Sequence, residues 1–183
     1  CDVATGGAKA SNSTLCVADA LTGHKIAEFA SSLLRPEEFA RVAIVASRFF
    51  GDAMIVPERN GPGRIMVDAM LDMWFRNIWF ERQETTIGRP EGMKPGWFSQ
   101  PDTKHSLLGE YRRALADRSY TNPSAISLKE CLLYTYNPSG RVWSVLALNE
   151  QDPSGAGDNH GDRVIGDALA WLGCRTMRDT ARE

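Results

Sequence analysis

Between Ser13 and Phe50 the apolar residues change their period, and this change narrows the fold more than any other feature of the chain. Residues 13–18 and 25–30 are short apolar runs on either side of Leu21-Thr22-Gly23-His24, the pattern of two strands joined by a turn. Ahead of them, residues 1–4 are too few for a strand on pattern alone, and a polar, glycine-containing turn follows. From Pro36 the spacing becomes helical. Proline suits a first turn, Glu37 and Glu38 favour the positive end of the helix dipole, and Gly51 stops the run after Phe50. Residues 53–56 are a short apolar burst, followed by Pro57-Glu58-Arg59-Asn60, a Gly-Pro-Gly turn and helical spacing over residues 65–74. That order makes a βα unit.

The second half continues the alternation. A strand is expected over residues 77–81, then a long polar, Gly/Pro-rich connection to Pro101, and a helix over residues 103–117. A helix near residues 127–134, a β-like run over residues 141–148 and a last helix starting near His160 complete the chain. Antiparallel-type strands followed by alternating helices and strands predict an α/β protein with a mixed sheet covered on both faces.

The 183 residues fit a single domain over 1–183, and 43% hydrophobic with 24% charged residues describe an ordinary globular core. No apolar run approaches the ~20 residues of a membrane span, so no membrane partner is expected. Four cysteines stand far apart without a CxxC pair, which favours neither a zinc site nor a disulfide scaffold and suits a reducing cytoplasm. A net charge of -2 excludes a generally basic coat for nucleic acid but permits local basic patches around an acidic site.

Three acids fall where α/β sheets collect their sites, at strand ends and helix starts: Asp2, Glu58 and Asp162. Brought together, three carboxylates repel unless a cation neutralises them, and hard oxygen donors without a His or Cys cluster favour magnesium or manganese. Two ions ~4 Å apart would activate a water and stabilise the leaving oxygen of a phosphodiester. With 23 acids in the chain, pattern alone leaves a solvated-surface reading open. Asp167, five residues beyond Asp162, falls on another helical face and reads as a surface acid.

The ordered set Asp2-Val3-Ala4 with Gly6-Gly7, Val56-Pro57-Glu58-Arg59-Asn60 with Gly61 and Gly63, and His160-Gly161-Asp162-Arg163-Val164 resembles the nuclease domain of the large terminase subunit of tailed bacteriophages. Gly96-Trp97-Phe98, Thr103-Lys104 and Tyr134-Thr135-Tyr136-Asn137 resemble its intervening segments, so the likeness spans nearly the whole chain in order. The resemblance implies a ribonuclease H-like sheet with three antiparallel strands and then parallel ones. It implies metal-dependent endonuclease cleavage of concatemeric double-stranded viral DNA during genome packaging in the host bacterial cytoplasm, transiently at the procapsid portal. Asp2, Glu58 and Asp162 would ligate two Mg²⁺ or Mn²⁺ ions, and the partners of a full terminase would be its ATPase domain, the small terminase subunit and the portal. No GxxxxGK(S/T) occurs in the chain, so ATP hydrolysis is not expected of it.

Two departures from the family pattern matter. Gly161 stands where many relatives carry the first of two adjacent aspartates, which leaves Asp162 with Asp158 as the acid placed to compensate at the second metal. The first strand of such a fold is central, so residues ahead of Cys1 are expected. His160 is a candidate accessory residue, for a metal-bound water or a local hydrogen bond. Lys9, Arg59, Arg64, Lys94, Lys104, Arg112 and Arg113 are candidate DNA-backbone contacts, each with a solvated surface charge as its alternative. Trp74, Trp79, Trp143 and Trp171 read as core, whereas Trp97 and Phe98 read as a DNA or partner contact. The rival functions are a Holliday-junction-resolvase-like nuclease, an assembly module for DNA packaging whose metal site has decayed, and an amidohydrolase using Cys1 as N-terminal nucleophile.

Overall fold

The computed structural model describes residues 1–7, 10–82, 93–136, 142–144 and 161–181. Strands β1 (Ser13–Ala18) and β2 (Lys25–Ser31) form an antiparallel hairpin with Ser13 opposite Ser31. Helix α1 (Pro36–Phe49) follows with proline in its first turn as expected, and helix α2 (Pro62–Asp72) follows the 53–56 segment, taking in the Pro62 that was expected in the preceding turn. Strands β3 (Phe80–Arg82) and β4 (Met93–Pro95) pair antiparallel. Helix α3 (Pro101–Ala116), helix α4 (Ala125–Cys131), the antiparallel pair β5 (Tyr134–Tyr136) and β6 (Val142–Ser144), and helix α5 (Asp162–Thr180) complete the described chain. The protein is mixed α/β, with five helices and three small antiparallel sheets among the described residues.

Isolated bridges connect the β1–β2 and β3–β4 regions through the segments that carry the site. Asp2 pairs antiparallel with Thr14, the Cys1 amine donates to Val56 O at 2.7 Å, and Glu58 N donates to Cys1 O at 2.9 Å. Ile55 pairs parallel with Ile78, and Glu58 pairs parallel with Trp97. Hydrogen-bonded neighbours therefore run β2, β1, the start of the chain, residues 55–58, and then residues 77–79 and 97.

Alternation along these strands feeds two cores. Leu15 and Ile55 join α1 and α2 through Phe39, Ala43, Met66 and Met70. Val56, next in sequence to Ile55, points the other way and packs with Leu107 and Tyr111 of α3 and Ala168 and Leu169 of α5. Helices cover both faces, as the element order predicts.

The structure corrects several expectations. The reading of a helix over 127–134 is wrong at its end: α4 stops at Cys131 and Tyr134 begins a strand. Trp74 is not core, because α2 ends at Asp72 and Trp74, at φ 58, lies 83% exposed with the Arg76 guanidinium over its ring at 5.3 Å. Trp97 is core, not a contact surface, because its ladder with residues 57–59 turns the indole inward. Trp171 is buried as expected, Trp79 is half-buried with its indole N–H on Thr176, and the Trp143 side chain lies outside the described residues. No described helix is long and apolar enough to cross a membrane, and the four cysteines are unpaired.

Candidate metal centre

Asp2, Glu58 and Asp162 come from distant parts of the chain, and Asp2 lies near both of the other two carboxylates. Asp2 is fixed by a two-bond pair with Thr14, with N···O distances of 3.0 and 2.9 Å. Thr14 also donates its hydroxyl to the Asp162 carbonyl at 3.0 Å, so the same buried residue seats the first turn of α5. The Asp162 carboxylate accepts the Asn12 N–H at 2.8 Å. Asp2 and Asp162 line a cleft of about 750 Å³ floored by small residues of the 4–7 and 10–12 segments and by Pro62.

Glu58 is delivered by a clamped strand end. Pro57 O accepts Trp97 N and Arg59 N donates to Trp97 O, both at 2.8 Å, while the Asn60 side chain donates to Ser99 O at 2.8 Å and accepts from Ser99 N. Helix α2 then passes so close that a Cβ on Gly63 would lie 1.8 Å from Glu58 O, which only glycine permits. Asn60 and Thr14 are positioning residues that the sequence reading missed. Asn60 sits in the motif that was singled out, whereas nothing in the strand pattern marks Thr14.

The electrostatics are those of crowded carboxylates. Burial pushes the Asp2 carboxyl well above the usual carboxylate range, the neighbouring Glu58 and Asp162 charges push it further, and the Cys1 amine offsets part of this. The Glu58 carboxyl lies close enough to Asp2 to add to this shift both by its charge and as a hydrogen-bond partner of the protonated acid. A divalent cation suits this donor set, because it would relieve the repulsion and all three side chains offer hard oxygens.

Gly161, the departure in the late motif, has a steric cause. Its φ is 85°, and a Cβ there would lie 2.5 Å from Cε2 of Tyr134, whose hydroxyl donates to Gly161 O at 3.1 Å. An aspartate at this position would need both the left-handed backbone and the space that the Tyr134 ring fills. Burial raises the Tyr134 hydroxyl pKa, and the Asp2 and Asp162 charges add to this, so it remains a donor.

Among the described residues, the ligating atoms of Cys16, Glu28 and Asp167 lie within 4.8 Å of one another, which those of Asp2, Glu58 and Asp162 as a set do not. The Lys25 ammonium already occupies the Cys16, Glu28 and Asp167 group, 2.8 Å from Asp167 and bonded to Glu28, so a cation there would have to displace a buried ion pair. Asp167 is fully buried, which overturns its reading as a surface acid. The helical spacing does separate it from Asp162, but α5 is covered on both sides, and Asp167 accepts hydrogen bonds from Asn122, Ser127 and Tyr120.

The basic candidates divide. Arg59 is turned inward: it pairs with Glu81, lies under Phe98 at 4.9 Å, and has a buried Nη1 without a hydrogen-bond partner. Phe98 is itself 37% exposed. Arg64, Lys94, Arg112 and Arg113 are exposed, Arg64 lying 3.9 Å from Asp68, and Lys104 is half-buried in the first turn of α3. Lys9, Asp158 and His160 lie outside the described residues. Cys1 is buried with its amine held by Val56 O, an unsuitable placement for a nucleophile that must reach substrate. Comparison with known protein families, with curated proteins and with solved structures finds no match to this chain.

Proposed function

We propose that this chain is a metal-dependent nuclease of the ribonuclease H-like class. The observation that carries this reading is the position of Asp2, which lines one cleft with Asp162 and stands beside Glu58, its carboxyl pKa raised by burial and then by both neighbours. The bridge order, antiparallel from β2 through β1 to Asp2 and parallel from there to residues 55–58 and 78, supports a sheet of that class. Within the class, the ordered motifs around Asp2, Glu58 and Asp162 favour the nuclease domain of a phage large terminase, acting on double-stranded DNA during packaging.

Asp2, Glu58 and Asp162 would hold Mg²⁺ or Mn²⁺. Such ions supply charge neutralisation at the scissile phosphate and activation of water. The chain's own part would be to hold the three carboxylates in place through Thr14, the 57–60 clamp and the seat of α5, so that an ion could draw them together beside a cleft floored by small residues for the phosphodiester backbone. No side-chain nucleophile is required.

The test is cleavage of supercoiled plasmid in EDTA, Mg²⁺ or Mn²⁺ by wild type and by Asp2→Asn, Glu58→Gln and Asp162→Asn. Ion-dependent nicking that each substitution abolishes supports the reading. Preference for branched over linear duplex would favour a junction resolvase. No cutting with any ion, together with no ion-dependent change in melting temperature, defeats the nuclease reading and leaves a packaging assembly module.

A further inference from the structure

Helix α5 begins without a side-chain cap of its own. Its N-cap is Gly161, and Asp162 is its first residue. The first N–H groups of a helix need acceptors, and when the capping residue supplies none another element must.

Here that element is α4. Glu130, 3% exposed, accepts the Arg163 N–H through Oε2 at 3.0 Å and binds the Arg163 side chain through Oε1 at 2.7 Å. The same guanidinium donates from Nε to Glu28 of β2 at 2.8 Å, and Glu28 is bonded to Lys25, which pairs with Asp167 one turn further along α5. Two charged residues of α5 are therefore gripped from β2 and α4 directly behind the residue that presents its carboxylate to the cleft.

We propose that Glu130 is a positioning residue for Asp162: its carboxylate replaces the missing cap of α5, anchors Arg163, and thereby sets the rotation of the first helical turn that aims Asp162 at Asp2 and Glu58. The proposal assigns a use to Asp162 that rests on the metal-centre reading, but the aiming itself can be observed without metal. The Asn12 N–H bonded to the Asp162 carboxylate reports on it.

The experiment compares wild type with Glu130→Ala and Glu130→Gln in metal-free buffer by amide exchange, and then by Mn²⁺ titration. Glutamine keeps an acceptor for the Arg163 N–H and alanine keeps none. Glu130→Ala is expected to speed exchange at Asn12 and Arg163 by about tenfold or more while the interior of α2 keeps its protection, and Glu130→Gln to restore most of it. Val67→Ala on α2, chosen to lower stability at a distance, should leave Asn12 unchanged. Unchanged Asn12 exchange in Glu130→Ala, or an equal loss in Val67→Ala, overturns the proposal.

The Mn²⁺ arm separates the two readings. Weaker Mn²⁺ binding in Glu130→Ala that glutamine rescues supports both. Altered Asn12 exchange with no Mn²⁺ binding even in wild type supports Glu130 as positioning residue and removes the metal-centre reading alone.

Discussion

Asp2 sits half-buried against Glu58 and Asp162, with its folded-state pKa raised above the unfolded value of about 3.9. Its contribution to stability is fully present below that unfolded value and is lost as pH rises through the folded one. Ion-free Asp2→Asn should therefore melt above wild type at neutral pH, with the gap closing below about pH 4 in calorimetric scans across pH. An Asn variant that melts lower at pH 7 would mean that the carboxylates do not repel. Asp167 is a buried acid whose partner ammonium on Lys25 is equally buried. Asp167→Ala strands that ammonium and should cost about 3–5 kcal/mol in urea unfolding. Gly161→Ala forces a side chain into the left-handed region against Tyr134, at a cost of about 1–3 kcal/mol that Tyr134→Leu should partly relieve in a double-mutant cycle.

Among the elements, α5 decides most. It lies on β1 through Gly166, where a Cβ would meet Thr14 Oγ1 at 2.7 Å and Cys16 Sγ at 3.1 Å. Gly166→Val should lift the helix from the strand and lower stability by about 1–3 kcal/mol, read as about 2–4 °C in melting temperature per kcal/mol. Because Thr14 also holds Asp2, the same substitution should weaken the ion response. An unchanged melting temperature would show that the strand can retreat at no cost. The ends of α1 were legible in the sequence, since proline at the first turn and glycine after the last act locally, whereas α2 and α3 start two or three residues before the expected 65 and 103 and α2 stops two residues before 74. The end of α4 was not legible, because Tyr134 leaves helical spacing to pair in β5 and fill the space under Gly161, contacts made with distant segments. Nor was the burial of Asp167 legible, since a helical wheel separates faces without saying which are covered.

At the scale of the whole molecule, the three carboxylates stand on the start of the chain, the end of the 55–58 segment and the head of α5, so an ion bound by them would link all three. At 100 times its dissociation constant such an ion adds about 2.7 kcal/mol, or about 5–10 °C for a chain of this size. Mg²⁺ or Mn²⁺ should give that rise in wild type, EDTA should reverse it, and Asp162→Asn should remove it. A rise that survives in Asp162→Asn would move the ion elsewhere, and persistence in Asp2→Asn and Glu58→Gln as well would point to the Cys16, Glu28 and Asp167 group. The sequence by itself determined the order and kind of the elements and the three acids at their ends, because backbone period, proline, glycine and capping act over a few residues. Only the tertiary structure decided that Asp2 comes near Glu58 and Asp162, that Arg59 and Trp97 turn inward while Trp74 does not, and that Lys25 and Asp167 are buried together. Those outcomes depend on which faces are covered by segments far away in the chain, through pairings and close approaches that no local pattern encodes.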